Sequence, residues 1–274
     1  MRKQNTFEKT FAYGLMGFVA IFTLLPYYLM LVMGTHSNAE LFASIKVWFG
    51  DNLRENYDRL MQIHYWKYFV NSLIIAVPGT VLTVLSGSMG GFALAKYNFR
   101  GKKFLVNFVF VTIMLPGSLG TIAWVWQMKQ FGWINTYWPF IIPVMGNTYA
   151  VYWFMQVAKG AIPNEILESA RVDGAGEFRI FAQIASPYLV PGAISLALLN
   201  FVGCWNSFLG PSLIIKKEAM YTVPLGVATI GTLFRAEYST QILGMSIATI
   251  PLLIVFACTA KHFIAGVTAG AVKG

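Results

Sequence analysis

Long apolar blocks separated by compact polar loops set the pattern of this chain. Six stretches, at about 11–33, 69–95, 104–128, 137–158, 188–212 and 241–260, contain no Asp, Glu, Lys or Arg. A helix needs roughly 20 predominantly apolar residues to cross the hydrocarbon core of a bilayer. A soluble core would draw instead on short periodic runs. The pattern therefore predicts an all-α membrane protein with six transmembrane helices. The first block is too long for the apolar core of a signal peptide, and no small-residue cleavage site follows it, so it reads as a retained span.

Composition agrees. Of 274 residues, 57% are hydrophobic and 11% charged, and the mean hydropathy is +0.60. The charged fraction is about half that of a soluble domain. The net charge of +9 does not point to nucleic acid, because the Lys and Arg residues lie in loops and tails, where they orient membrane spans. The N-tail carries Arg2, Lys3 and Lys9; the loop after the second span carries Lys96, Arg100, Lys102 and Lys103 without any acid; the next short loop has only Lys129. Basic loops stay in the cytoplasm. A multi-pass membrane protein with both termini cytoplasmic is expected. The first outer loop, Gly34 to Lys67, balances Glu40, Asp51, Glu55 and Asp58 against Lys46, Arg54, Arg59 and Lys67. It reads as a water-facing cap. This divides the chain into 1–67, holding the tail, first span and loop, and 68–274, holding five spans, a cytoplasmic segment at 159–187 and a C-terminal tail.

The spans hold no carboxylate, Lys, Arg or His, the groups that ion-coupled carriers use as relays. They offer neutral amides and aromatics instead, foremost Asn107, Trp124, Asn147, Trp205 and Asn206, with Trp126, Gln127, Trp153, Gln156 and Asn200 beside them. Amide hydrogen bonds and ring stacking suit hydroxyl-rich neutral solutes. The same residue types also glue helices together and mark membrane interfaces. Pro78-Gly79, Gly87, Gly90-Gly91, Pro116-Gly117, Pro143 and Gly146 allow close helix approach and kinks. Cys204 and Cys258 have no metal spacing and read as reduced thiols, and His36, His64 and His262 lack ligand spacing. No GxxxxGK[ST] occurs, so nothing here cradles ATP phosphates in the P-loop manner. Nor is there a clustered acid, base and nucleophile set that would mark an enzyme.

The segment Lys159 to Pro187 is the least ordinary stretch. Pro163 stands near the start of a short helix, where its missing N–H costs little, and Glu165 and Glu168 suit the positive end of the helix dipole. Ile166, Leu167 and Ala170 fall on one face. Gly174 and Gly176 permit a turn, after which Phe178, Phe181 and Ala182 restart an apolar periodicity. Such an amphipathic surface helix suits a groove on another protein, and it equally suits the lipid surface.

The segment resembles the EAA loop of ABC-importer permeases, with the pattern E-A-A, three residues, G, nine residues, I-x-L-P. Glu168-Ser169-Ala170, Gly174, Ile184 and Pro187 stand at those spacings; Ser169 replaces the middle Ala and Ser186 replaces Leu. Asn71-Ser72-Leu73-Ile74, Ala93-Leu94-Ala95-Lys96-Tyr97, Met114-Leu115-Pro116-Gly117, Asn135-Thr136-Tyr137, Trp205-Asn206-Ser207-Phe208 and the ending Gly266 to Gly274 are similar to the carbohydrate-uptake branch, and resemble the smaller permease subunit of maltose importers. The likeness runs from about residue 68 to the end.

The resemblance implies a type I permease fold in the bacterial cytoplasmic (inner) membrane, whose EAA loop is a cytoplasmic coupling helix fitted to a nucleotide-binding subunit. Glu168, Ser169, Ala170, Arg171, Asp173 and Gly174 are the positions it assigns to ATPase coupling. It implies no cofactor in this chain, since ATP and Mg are bound by the partner ATPases. The implied partners are a second permease subunit that is a different chain, two ATP-binding subunits, an extracytoplasmic solute-binding protein, a sugar or oligosaccharide, and membrane lipid. The C-terminal tail is a further candidate contact with the ATPases. Other cargoes of sister branches, such as glycerol-phosphates and polyamines, and a self-contained channel or secondary carrier, are the competing expectations; an anionic cargo would call for basic side chains in the spans.

Overall fold

The computed structural model describes the backbone of residues 6–232 and 235–271, and side chains over 9–230 and 237–260. Arg2 and Lys3, the side chain of His262 and those of the tail 266–274 lie outside these ranges. Among the described residues the regular elements are helices apart from a two-residue antiparallel pair, β1 (Gly231–Thr232) with β2 (Arg235–Ala236).

The apolar blocks become helices, but not all as single rods. Four helical stretches are long and apolar enough to cross a membrane: Lys9–Met33 within α1 (Thr6–Met33), α4 (Tyr65–Lys96), the stretch Glu177–Trp205, and Tyr238–Ala260 within α14 (Tyr238–Ala271). The third block breaks into α5 (Lys102–Met114) and α6 (Thr121–Gln130), bent by 92° across a short 3₁₀ turn at Gly117–Gly120. Leu115 is extended there, as the residue before a proline tends to be. The fourth block divides further, into α7 (Trp138–Ile141), a 3₁₀ turn at Pro143–Gly146 and α8 (Thr148–Ala161). At 14 residues, α8 is only about 21 Å long, short of the roughly 30 Å hydrocarbon core.

Two compact units comprise Met1–Trp66 with Gly226–Ile250, and Lys67–Leu225 with Pro251–Gly274. In the first, α1 is followed by α2 (Asn38–Ala43), whose start is closed by a capping box between Ser37 and Glu40. Buried Asn56 of α3 (Leu53–Gln62) donates to the carbonyls of Gly34 and His36, at 3.0 and 2.9 Å. Arg59 pairs with Glu55 at 2.6 Å and with Glu237. Tyr65 donates its hydroxyl to the Gly244 carbonyl at 2.7 Å.

In the second unit Gly87 and Gly91 set the distance between α4 and α8. A Cβ at Gly87 would stand 2.7 Å from the Cβ of Ala150, and one at Gly91 would meet the Met155 nitrogen at 2.6 Å and the Val151 carbonyl at 2.7 Å. This small-xxx-small face lets two backbones touch where lipid supplies no hydrophobic drive. Gly91→Val is therefore expected to lower the midpoint of thermal unfolding of the detergent-solubilised protein, by overpacking that costs about 1–3 kcal/mol or more. Gly14, with open space around it, is the control position. An unchanged midpoint for Gly91→Val would refute the packing account.

Residues 209–223 are pinned to the second unit by polar contacts. Asn71 donates to the carbonyls of Ala219 and Tyr221, at 3.0 and 2.9 Å, and Ser72 accepts from the Val223 nitrogen at 2.9 Å. Asn135 adopts a left-handed backbone (φ 58°) and accepts from the nitrogens of Lys216 and Lys217 just beyond α12 (Leu209–Ile214).

Candidate functional site

Helix α8 ends at Ala161, and Pro163 occupies the N-cap position of α9 (Asn164–Val172), with the extended backbone (ψ 140°) that cap requires. The helix stops in a Schellman turn. Gly174, at φ 79°, donates to the Arg171 carbonyl at 3.0 Å, and Ala175 donates to the Ala170 carbonyl at 2.9 Å. A side chain at this left-handed position would be strained. After the turn come α10 (Glu177–Arg179), a π-helical stretch Ile180–Ala185 and α11 (Ser186–Trp205). The widened turn directly precedes Pro187, whose ring presses on the carbonyl four residues earlier in a regular helix. The 188–212 block thus becomes a helix that begins eleven residues earlier, inside the polar segment.

The apolar stripe of α9 faces the chain's own core. Leu167 and Ala170 are buried together with Phe92 of α4, Phe154 and Ala158 of α8, Ile162, Ile180, Ala185 and Leu189. Burying Leu167 alone contributes about 1.5–3 kcal/mol. This corrects the expectation that the stripe lies open for a partner groove or a lipid surface. Exposed on the outer face are Asn164, Glu165, Glu168, Ser169, Arg171, Val172 and Asp173, with Glu177 and Phe178 beyond the turn.

A polar clasp fixes the flank. Arg171 donates to Glu177 through Nε at 2.8 Å and a terminal nitrogen at 3.3 Å, while the Tyr97 hydroxyl donates to Glu177 at 2.5 Å. The Arg171 guanidinium lies 5.6 Å from the centre of the Tyr97 ring, within cation–π range. Lys96 donates to the Ile162 carbonyl at 2.5 Å and to the Asn164 side chain at 2.9 Å. Burial, and then the facing Glu177 carboxylate, push the Tyr97 hydroxyl up to about 12. The Glu177 carboxylate raises the Arg171 guanidinium above its ordinary value. The pairing of Arg171 with Glu168, one turn apart in sequence, is not formed. Glu168 has no hydrogen bond or ion pair among the described residues.

Of the six coupling positions, Glu168, Ser169 and Asp173 thus have outward side chains, although the Ser169 hydroxyl also bonds back to the Glu165 carbonyl at 2.9 Å. Ala170, Arg171 and Gly174 seat the helix. Sequence reasoning missed Glu177 and Tyr97 as members of the cluster; the Arg171–Glu177 spacing across a glycine turn was the available signal.

The five solute-path residues are not brought together. Asn107 is exposed on α5, Asn206 is exposed at the end of α11, and Asn147 accepts from the Ala150 nitrogen at 3.0 Å as the N-cap of α8. Trp205 is 1% exposed in a cluster with Ala76 and Phe201, and stacks on Phe201 at 5.8 Å. Its ring belongs to the core. Trp124 alone lines a cavity of about 340 Å³, with Phe140, Asn200, Cys204, Ser207 and Thr222 among its walls. Asn200 there donates to Thr80 at 3.3 Å.

Comparison with known proteins places this architecture. Residues 79–268 match the family described as binding-protein-dependent transport system inner membrane component. The chain belongs to that family. It is therefore a multi-pass inner-membrane transport component and not an enzyme. Among curated relatives it is similar to the arabinooligosaccharides transport system permease protein AraQ of Halalkalibacterium halodurans, with 32% identity over 97% of this chain and 95% of that one. It is also similar to the trehalose/maltose transport system permease protein MalG of Thermococcus litoralis, with 29% identity over 93% and 94%, and to the lactose transport system permease protein LacG of Rhizobium radiobacter, with 28% identity over 95% of each. A solved bacterial ABC transporter involved in the import of the acidic polysaccharide alginate has a chain of the same fold, with a TM-score of 0.78 at 19% identity, covering 96% of this chain and 100% of that one. The permease fold is thereby established.

Proposed function

We propose that this chain forms half of the translocation pathway of an ATP-driven importer for a neutral sugar or oligosaccharide, and that α9 is its coupling helix. The observation that carries the coupling reading is the seating of α9. Its apolar face is buried in the core shared by α4, α8 and α11, while Glu168, Ser169 and Asp173 stay open to a partner. A push on the outward face is thus delivered to the packed helices behind it, because close-packed interiors transmit displacement. The sugar cargo is supported by the transport names of the relatives and by the six apolar blocks of the sequence, none of which holds a basic side chain.

In this reading six membrane passages are made by α1, α4, the bent α5–α6 pair, the broken α7–α8 segment, the 177–205 helix and α14, with both ends of the chain in the cytoplasm. Two ATPase subunits hold ATP and Mg, a second permease completes the pathway, and a binding protein delivers the sugar. Of the path residues, Trp124 is the strongest candidate, because it lines a cavity beside Asn200 and Ser207. The test is co-expression with neighbouring permease, ATPase and binding-protein genes, followed by ATP hydrolysis in nanodiscs with arabinooligosaccharide, lactose, trehalose or maltose. Stimulation by a sugar-loaded binding protein is expected to be at least several-fold. A complex that assembles but answers none of these sugars overturns the cargo, and a chain that binds no ATPase overturns the importer reading.

A further inference from the structure

We propose that residues 42–49, in the loop after α1, are bedded in the lipid–water interface and anchor that face of the protein to the bilayer. Phe42, Ile45, Val47, Trp48 and Phe49 are all exposed, Ile45 at 87% and Trp48 at 79%, with Lys46 the one charge among them. An apolar patch of this kind on a water-facing cap would be costly unless something covers it.

The segment does not dangle. The Tyr28 hydroxyl donates to the Val47 carbonyl at 2.6 Å, the Tyr28 and Phe49 rings meet edge to face at 6.1 Å, and the His36 ring contacts the Trp48 carbonyl at 2.9 Å. Gly50 donates to the Thr35 hydroxyl at 2.8 Å and Asn52 to the Thr35 carbonyl at 2.9 Å. The backbone is fastened to the end of α1, and although the Phe42 ring meets Tyr238 edge to face at 5.6 Å, Phe42, Ile45, Trp48 and Phe49 each keep most of their surface exposed.

Depth selects the occupant. Tyr28 lies five residues before the end of α1 at Met33, so Val47 sits about 7.5 Å back along the helix. The 25-residue apolar stretch Lys9–Met33 is about 37 Å long against a hydrocarbon core of about 30 Å. Shared between both ends, that excess puts Tyr28 within about one helical turn of the hydrocarbon edge. Trp and Tyr concentrate at that level. From Ser44 on, past the end of α2, the segment is irregular, so its unpaired backbone groups demand water nearby and exclude the hydrocarbon centre. Only 6% of the α1 window is buried within the chain, so the segment is continuous with an exposed apolar helix surface. Lys46 can extend toward headgroups while its stem stays apolar.

The experiment uses the assembled transporter in nanodiscs, with Cys204→Ser and Cys258→Ser as background. Nitroxide labels at Ile45→Cys and Trp48→Cys are read by collision with oxygen and with a water-soluble nickel chelate, and Asp58→Cys, exposed on α3, is the aqueous reference. Oxygen collisions are expected to exceed nickel collisions several-fold at 45 and 48, with the ratio reversed at 58. Nickel-dominated collisions at 45 and 48 would show a loop in water and overturn the proposal. Low collision with both reagents would show a protein partner on the patch and overturn it equally. Phe42→Cys supplies the same readout should Trp48→Cys fail to assemble. None of this depends on the cargo.

Discussion

Glu168→Lys is expected to reduce sugar-stimulated ATP hydrolysis by the assembled importer at least tenfold while leaving the permease folded. Glu168 makes no internal hydrogen bond or ion pair among the described residues, so its loss removes nothing that holds α9 in place. The seating by Leu167 and Ala170 persists. Any effect therefore arises at whatever the outward face meets. Breaking one partner of a charge pair that becomes desolvated on docking costs about 2–5 kcal/mol, and each 1.4 kcal/mol is a factor of ten in affinity. Glu168→Gln keeps the shape and should fall between the two. Hydrolysis and sugar uptake are measured side by side, with the amount of ATPase co-purifying as the control for assembly. Stimulated hydrolysis within twofold of wild type, in a complex of normal stoichiometry, would remove Glu168 from the coupling surface.

The parts of this molecule written in local chemistry were open to a sequence reading. Long uncharged blocks must be membrane helices, and Pro163 and Gly174 delimit α9 because one suits a helix start and the other supplies a left-handed stop. What could not be read was which of several adequate partners a side chain takes. Arg171 has a glutamate three residues before it and another six residues after it; the turn at Gly174 brings the second within reach, and Tyr97 adds a third group from just past the end of α4. Trp205 and Asn147 looked suited to a sugar, but an indole also fills a core and an amide also caps a helix, and the tertiary context chose those uses. The breaks in the third and fourth blocks follow the same logic. Prolines are tolerated in some spans, as Pro78 is inside the unbroken α4, so Pro116 and Pro143 alone did not foretell where helices would end.

Arg171→Glu and Glu177→Arg are each expected to lower sugar transported per ATP hydrolysed several-fold, and the double exchange is expected to restore most of it. The two side chains are 37% and 54% exposed, and an exposed ion pair contributes only about 0–1 kcal/mol. Global stability should therefore scarcely move, and thermal unfolding is the internal control. The consequence lies in direction. Leu167 and Ala170 tether α9 by one apolar face, which leaves rotation about the helix axis open, whereas the clasp ties its far end to Glu177 at the foot of the 177–205 helix and to Tyr97 just past the end of α4. A helix so held moves both neighbours together when pushed. Without the clasp it can turn in place, and hydrolysis continues while less motion reaches the spans. Docking would also desolvate the pair and strengthen it when force is applied. Tyr97→Phe, which keeps the ring under Arg171 but drops the bond to Glu177, should show a smaller defect in the same ratio. Equal losses in hydrolysis and transport for all three single variants, with no recovery in the exchanged pair, would reduce the clasp to an ordinary surface contact.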